Sequence, residues 1–359
     1  AGLEFRRVLF RSSQVLPGTP ITVTAAAKTS HLFSHWTGLP EGAEVRGNVA
    51  ALVMPAEDTG VTAVFVANPL TQGAMAALGA KPVFQGLLRP DETTPPGNDT
   101  AGFLSAALTP AKGSLSGKLW MDGLVVPFTG ALHGDGSVWF KAGAVLASAL
   151  PFAGRELSMT WDESGLTMTV TRTVNEVTHV STGKARPPLY SKAAPVRGAL
   201  LDAKGKQGYY TLGLPAVAQV PFKPAAEYPQ GTGHAGLTLL STGTLKLAGT
   251  LAEGTKVTAA SFLVEGDAAE VFVVLPTPGG KTKAGSLLGT LVFDEAHLDS
   301  DATSADMRWF RPVAETKPSV LQAYRAGWPG GIALGLVGAL YDGSDRKSTR
   351  LNSSHANIS

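Results

Sequence analysis

From Val83 to Asp342 the chain is a succession of short runs in which apolar and polar residues alternate, each closed by Gly, Asp-Gly or Asn. That period of two is the strongest constraint on the fold. Side chains of a strand point alternately to opposite faces, so such a run buries one face and wets the other. Runs of about 6–10 residues, punctuated by turn formers, specify antiparallel hairpins. Asp122-Gly123 and Asp135-Gly136 are hairpin signals, because both residue types tolerate the positive φ of primed turns. Glycines inside the runs (Gly117, Gly130, Gly249 and Gly289) predict bends or close backbone contacts. The fold class read from this pattern is all-β, an antiparallel meander of roughly fifteen short strands arranged as sandwich or barrel halves. Helix signals are confined to Pro318–Ala326, which stops at Gly327, and to a poorer segment, Leu70–Leu78.

A coarser repeat overlies the strand pattern. GSLSGKLWMDG (Gly113–Gly123) is matched by GTLKLAGTLAEG (Gly243–Gly254), and the leading glycines lie 130 positions apart. Ala101-Gly102 before the first copy has Ala235-Gly236 before the second. Val138-Trp139-Phe140 after it has Val271-Phe272. The spacing implies a duplicated module with pseudo-twofold character. The stretch Arg186–Gln207, with three prolines and four basic residues after Arg186, is the expected boundary. The organisation read from the chain is therefore a small β unit at 13–67, a first meander module at 68–200 and a second at 201–343.

Residues 13–67 contain PGTPITVTA (Pro17–Ala25), then Phe33, Trp36 and Gly38, then Met54-Pro55, and close on VTAVF (Val61–Phe65). About 55 residues without disulfides is small for an independent core, so this unit should lean on neighbours. Phe33, Trp36, Val53 and Phe65 are its expected core. In this order the elements resemble the divergent InlB B-repeat, a small β domain strung along bacterial surface and secreted proteins. His31-Leu32 stands where the family carries a Gly before its Phe, which makes this copy atypical. The region 83–342 is similar to the Gly-x-[Leu/Phe]-x-Gly β repeats of large secreted proteins of environmental bacteria. These resemblances imply structural or adhesive display at the cell surface.

Glu4–Ser12 (EFRRVLFRS) and Asp345–His355 (DRKSTRLNSSH) can be encoded by opposite strands of one DNA segment, which resembles a common short-read sequencing adapter. Residues 1–12 and 344–359 are accordingly expected to lie outside the fold, and the chain to be a fragment without its true N-terminus. Each of the two segments carries a net +2, so the remainder of a chain of net +2 is −2. No basic stripe is left to bind nucleic acid. The apolar run Ala326–Tyr341 is interrupted by Pro329 and several glycines and falls short of the ~18–20 residues of a membrane span.

With no Cys, thiol catalysis, Cys-ligated zinc and iron–sulfur clusters are excluded. Gly279-Gly280-Lys281-Thr282 has Leu275 where a phosphate loop needs Gly, and a strand pattern where it needs a helix, so it reads as a hairpin turn. GSLSG (Gly113–Gly117) has Leu115 at the nucleophile position of an esterase elbow. His31 and His35 have metal-ligand spacing for a helix but sit in a strand pattern, where they would stand about 13 Å apart. The acidic stretch 294–306 offers Asp299, Asp301 and Asp306 as weak calcium candidates, without the glycine and closing Glu of an EF-hand. No metal and no cofactor is expected.

Trp120 and Trp139 are the candidate ligand-contacting residues. Leu115, Leu119 and Met121 share one face of their strand, which leaves Lys118 and Trp120 on the other. Trp139 has the parity of Ser137 and Lys141, opposite to Val138 and Phe140. Two readings stay open: aromatic platforms for sugar rings, or core residues beneath a second layer. The sequence points to a non-enzymatic structural or adhesive repeat region of a secreted or cell-surface protein, with extracellular glycan or a surface protein as partner. The alternative is an accessory or catalytic β domain of an extracellular carbohydrate-active enzyme. Two acids in a pocket at either Trp would favour that alternative.

Overall fold

The computed structural model describes residues 15–341, apart from 73–74, 76–77, 143–144, 197, 203–204, 219–221, 225–226, 281, 295–299, 305 and 316–323. The adapter-like ends and most of the helix expected at 318–326 lie outside the described residues, as does Asp299. Of the segment 70–78, the described part contains the 3-10 turn Pro69–Thr71, capped by the Asn68 side chain, and helical backbone at Met75. The strands are otherwise continuous with the alternation.

The N-terminal segment builds two small sheets. One joins β1 (Pro20–Thr24), β4 (Val49–Val53) and β3 (Glu44–Arg46); the other pairs β2 (His31–Thr37) with β5 (Thr62–Ala67). Leu32, Phe33, Ala50 and Leu52 are buried. The Phe33 ring lies 5.5 Å from that of Trp36 and 6.0 Å from that of Phe65. Val53 corrects the expected core: it is 58% exposed. Parity explains the difference, since Ala50 and Leu52 take the inward positions of β4 and Val53 falls on the outer face.

The first meander contains β6 (Val83–Pro90), β7 (Gly102–Thr109), β8 (Ser114–Met121), β9 (Leu124–Leu132) and β10 (Val138–Ala142). It continues through β11 (Val145–Ala147), β12 (Leu150–Phe152), β13 (Arg155–Asp162), β14 (Gly165–Val174) and β15 (Val177–Ala185). Its sheet order is β11-β10-β9-β8-β7-β6-β15-β14-β13-β12. A bridge from Ser137 to Thr160, and a bond from Trp161 N to Gly136 O at 2.7 Å, connect the β10 end to β13 and close the sheet on itself.

The second meander contains β16 (Gln207–Pro215), β17 (Thr232–Leu240), β18 (Thr244–Thr250), β19 (Lys256–Val264) and β20 (Ala268–Leu275). Then come β21 (Gly285–Phe293), β22 (Ala302–Ser304), β23 (Arg308–Arg311), β24 (Trp328–Ala333) and β25 (Leu336–Leu340). Its order is β20-β19-β18-β17-β16-β25-β22-β21-β23-β24, and an additional β20–β21 pairing closes it as a barrel-like ring. Both modules join their first strand to their last, β6 to β15 and β16 to β25. That is the arrangement by which a meander removes its edges.

The duplication is visible in matching details. Gly113 and Gly243 both take left-handed φ, 61° and 79°. Leu132 N donates to Gly113 O at 2.7 Å, and Leu263 N donates to Gly243 O at 2.8 Å. Asp122 and Gly123 both have positive φ, 53° and 73°, the primed turn expected of Asp-Gly. Gly249 is a close-approach glycine: a Cβ there would stand 2.2 Å from His234 O.

By contacts the chain forms two compact units. The first takes the described residues of 1–84, 104–119 and 125–187; the second takes those of 85–103, 120–124 and 188–359. The second unit's main core gathers Tyr210, Leu212, Leu237, Leu247, Leu263, Val271, Leu291, Phe293 and Trp309. A satellite core in the same unit gathers Leu87, Ala101, Phe103, Leu288 and Phe310, with Trp120 and Phe272 packed against it.

Candidate functional site

The second unit carries a groove beside the satellite core, where β19 and β20 part. β19 pairs with β18 from Thr244↔Phe262 to Thr250↔Lys256, and β20 pairs with β21 along its whole length. Between β19 and β20 the ladder holds only Leu263↔Ala269 and Val264↔Ala268, next to the hairpin turn. Leu263 bonds across to Gly243, so the odd-numbered residues of β19 direct their backbone groups to β18. Even-numbered Thr258 therefore directs its N–H and C=O toward β20, beyond the end of that ladder.

The groove is lined by Phe103, Trp120, Lys256, Thr258, Phe272, Val273 and Val274. Its aromatic wall is ordered: Phe103 stacks on Phe272 at 5.5 Å and 9°, and Trp120 tilts against Phe103 at 5.7 Å and 39°. Trp120 is half-buried and Lys256 exposed. Lys256 is the single ionisable side chain among these lining residues. None of these lining residues carries a carboxylate, so they do not themselves supply the pair of acids that glycoside hydrolysis needs.

A polar network lies in the same unit. Glu270 Oε2 accepts from Leu87 N at 2.7 Å, and Arg89 Nη1 stands 3.9 Å from Glu270 Oε1. Arg89 Nη2 donates to Asp306 Oδ2 at 2.5 Å and to Thr290 Oγ1 at 2.7 Å. Asp306 Oδ1 also accepts from Thr290 N at 2.7 Å. Asp301 Oδ2 accepts from Leu340 N at 2.7 Å. The two described calcium candidates thus have protein donors on their oxygens, and the described residues contain no group of three ligand-type side chains placed to hold a metal. His31 and His35 occupy β2 opposite Ala67 and Val64, on either side of a bulge.

Trp139 belongs to the first unit and is engaged in packing there. Its ring stacks on His133 at 5.0 Å and 17°, and its Nε1 donates to Ser137 Oγ at 3.1 Å. His133 in turn meets the edge of Phe33 at 5.6 Å, and Gly134 N donates to Phe33 O at 2.8 Å. Burial pushes the His133 pKa below its ordinary value, with Asp135 partly opposing.

One more charged cluster is buried in the second unit. Arg311 lies over Trp328 at 5.3 Å and Tyr324 at 5.9 Å, donates to Tyr324 O and stands 4.0 Å from Glu253. Burial pushes the Glu253 carboxyl up, against a hydrogen bond from Thr255 and the charge of Arg311. Stacking and desolvation make this a packed ion pair of the core.

Phe103, Lys256, Thr258 and Phe272 escaped the sequence reading. Their outward parity was legible, but nothing local signals that β19 and β20 separate beside Trp120.

No helix among the described residues is long and apolar enough to cross a membrane. Comparisons with curated proteins and with solved structures find no match for this chain. Residues 8–69 match the family model of the divergent InlB B-repeat domain, the bacterial repeat family to which the β1–β5 segment is similar.

Proposed function

We propose that this chain is a non-enzymatic structural or adhesive stretch of a secreted or cell-surface bacterial protein, and that it holds extracellular glycan at the Trp120 groove. The observation that carries the reading is the lining of that groove: three aromatic rings, a hydroxyl and an ammonium, with no carboxylate. Aromatic faces stack on the apolar faces of sugar rings and supply binding without chemistry. The B-repeat match at 8–69 supports a display role, because such units are strung along surface proteins. In this reading Trp120 contacts the ligand, and Trp139 is a packing residue beneath the N-terminal segment.

The test is glycan binding by the full chain, alongside its Trp120→Ala and Trp139→Ala variants. Trp120→Ala should abolish binding while the protein stays folded. Trp139→Ala should lower the melting temperature of the first unit and leave glycan affinity unchanged. Release of new reducing ends from a polysaccharide, abolished by one acid-to-amide change, would overturn the reading in favour of a carbohydrate-active enzyme.

A further inference from the structure

We infer that the Trp120 groove selects an acidic sugar, a uronic acid or its equivalent, over a neutral one. The inference rests on the glycan reading above and adds the charge class of the ligand.

Three features of the groove converge on that class. The first is the stacked wall of Phe103 and Phe272 with Trp120 tilted against it, which suits a flat ring. The second is the parting of β19 from β20 after two residue pairs, beside which Thr258 lines the groove. The Thr258 hydroxyl matches a ligand rich in hydroxyls. The third is Lys256, exposed at the first position of β19 and the one charge on the lining. An ammonium beside an aromatic wall, with no carboxylate among the lining residues, complements an anionic ring. The cavity, about 290 Å³, is at the small end of ligand sites, which favours a sugar unit over an extended peptide strand.

The experiment measures the affinity of the full chain for a short oligogalacturonate and for its methyl ester, which keeps the rings and removes the charge. The acid should bind about tenfold more tightly, as a charge-assisted hydrogen bond provides. Lys256→Gln should erase that preference; Lys256 is exposed, so folding is not at risk. Trp120→Ala should weaken both ligands. If ester and acid bind equally and Trp120→Ala removes both, the glycan reading stands and the acidic class is overturned. If the acid binds but Lys256→Gln leaves its affinity intact, the site is elsewhere and the inference falls. If neither sugar binds while an extended acidic peptide does, both readings fall.

Discussion

Phe33 is the residue whose loss should reveal how the N-terminal segment is held. It is 7% exposed and meets three rings: Trp36 at 5.5 Å, Phe65 at 6.0 Å and His133 at 5.6 Å. The first two contacts lie inside the β1–β5 segment; the third lies in the β9–β10 turn of the first meander. Beside it, Leu32 packs so close to Gly113 that a Cβ on that glycine would stand 2.4 Å from Leu32 Cδ2. Truncating a buried Phe to Ala costs about 3–5 kcal/mol, from lost transfer energy and the cavity left behind. For a unit of this size each kcal/mol moves the midpoint by about 2–4 °C, so Phe33→Ala should lower it by roughly 6–20 °C. The contact with His133 makes a sharper statement: amides of β2, β5 and β10 should lose exchange protection together. Thermal unfolding with hydrogen exchange on the full chain reads both effects. If β2 and β5 open while β10 keeps its protection, the segment is an independent bead and the ring contact with His133 contributes nothing.

Two further expectations concern the backbone and pH. Gly249→Ala should destabilise the second unit strongly, since its Cβ would meet His234 O at 2.2 Å and Ala235 Cβ at 2.5 Å; a melting temperature within a degree or so of wild type would refute the close approach. Acid should act on the two units in opposite senses. His133 has a lowered pKa, so its contribution to the first unit is complete above the ordinary histidine range and is lost as pH falls below it. Glu253 has a raised pKa, so its contribution to the second unit is complete below the ordinary carboxylate range and is lost as pH rises through the folded value. Denaturant titrations from about pH 7 down to about pH 4 should show these slopes, and His133→Asn and Glu253→Gln should each flatten one; unchanged slopes would remove the two groups from the account.

What was legible in the chain was local. Alternation placed Leu115, Leu119 and Met121 inward, and all three are buried. Asp122-Gly123 announced its primed turn, and the glycines within strands announced close backbone approaches. The closures were not legible, because the pairings β6–β15 and β16–β25 join residues far apart in sequence and depend on the whole meander. Val53 was misplaced because a one-residue change of parity moves a side chain to the other face. The groove was half legible. Trp120 was singled out from its face, but Phe103 and Phe272 reach it from other strands, and the parting of β19 from β20 has no sequence signature. Trp139 had the same outward parity as Trp120, and only the fold distinguishes the two, by setting His133 against its ring.

The duplicated frame shows why Glu270 should matter. Leu132 and Leu263 occupy equivalent places, each donating to the glycine that opens the preceding strand. Val138 pairs with Leu132 and Ala269 with Leu263, so the next residues, Trp139 and Glu270, are equivalent outward positions. One module uses that position for ring stacking on His133; the other uses it for a carboxylate that receives Leu87 N at 2.7 Å and stands near Arg89. Glu270 is 7% exposed and Leu87 fully buried, so their hydrogen bond is buried. Glu270→Ala would leave the Leu87 N–H without its acceptor, which costs about 1–3 kcal/mol for a buried donor. Glu270→Gln keeps an amide oxygen at the same reach and should recover most of that loss. Chemical denaturation of the three proteins, with exchange measured at the Leu87 amide, decides the matter. If Glu270→Ala and Glu270→Gln are equally unstable, the charge beside Arg89 carries the effect. If neither differs from wild type, the bond to Leu87 contributes nothing to the second unit.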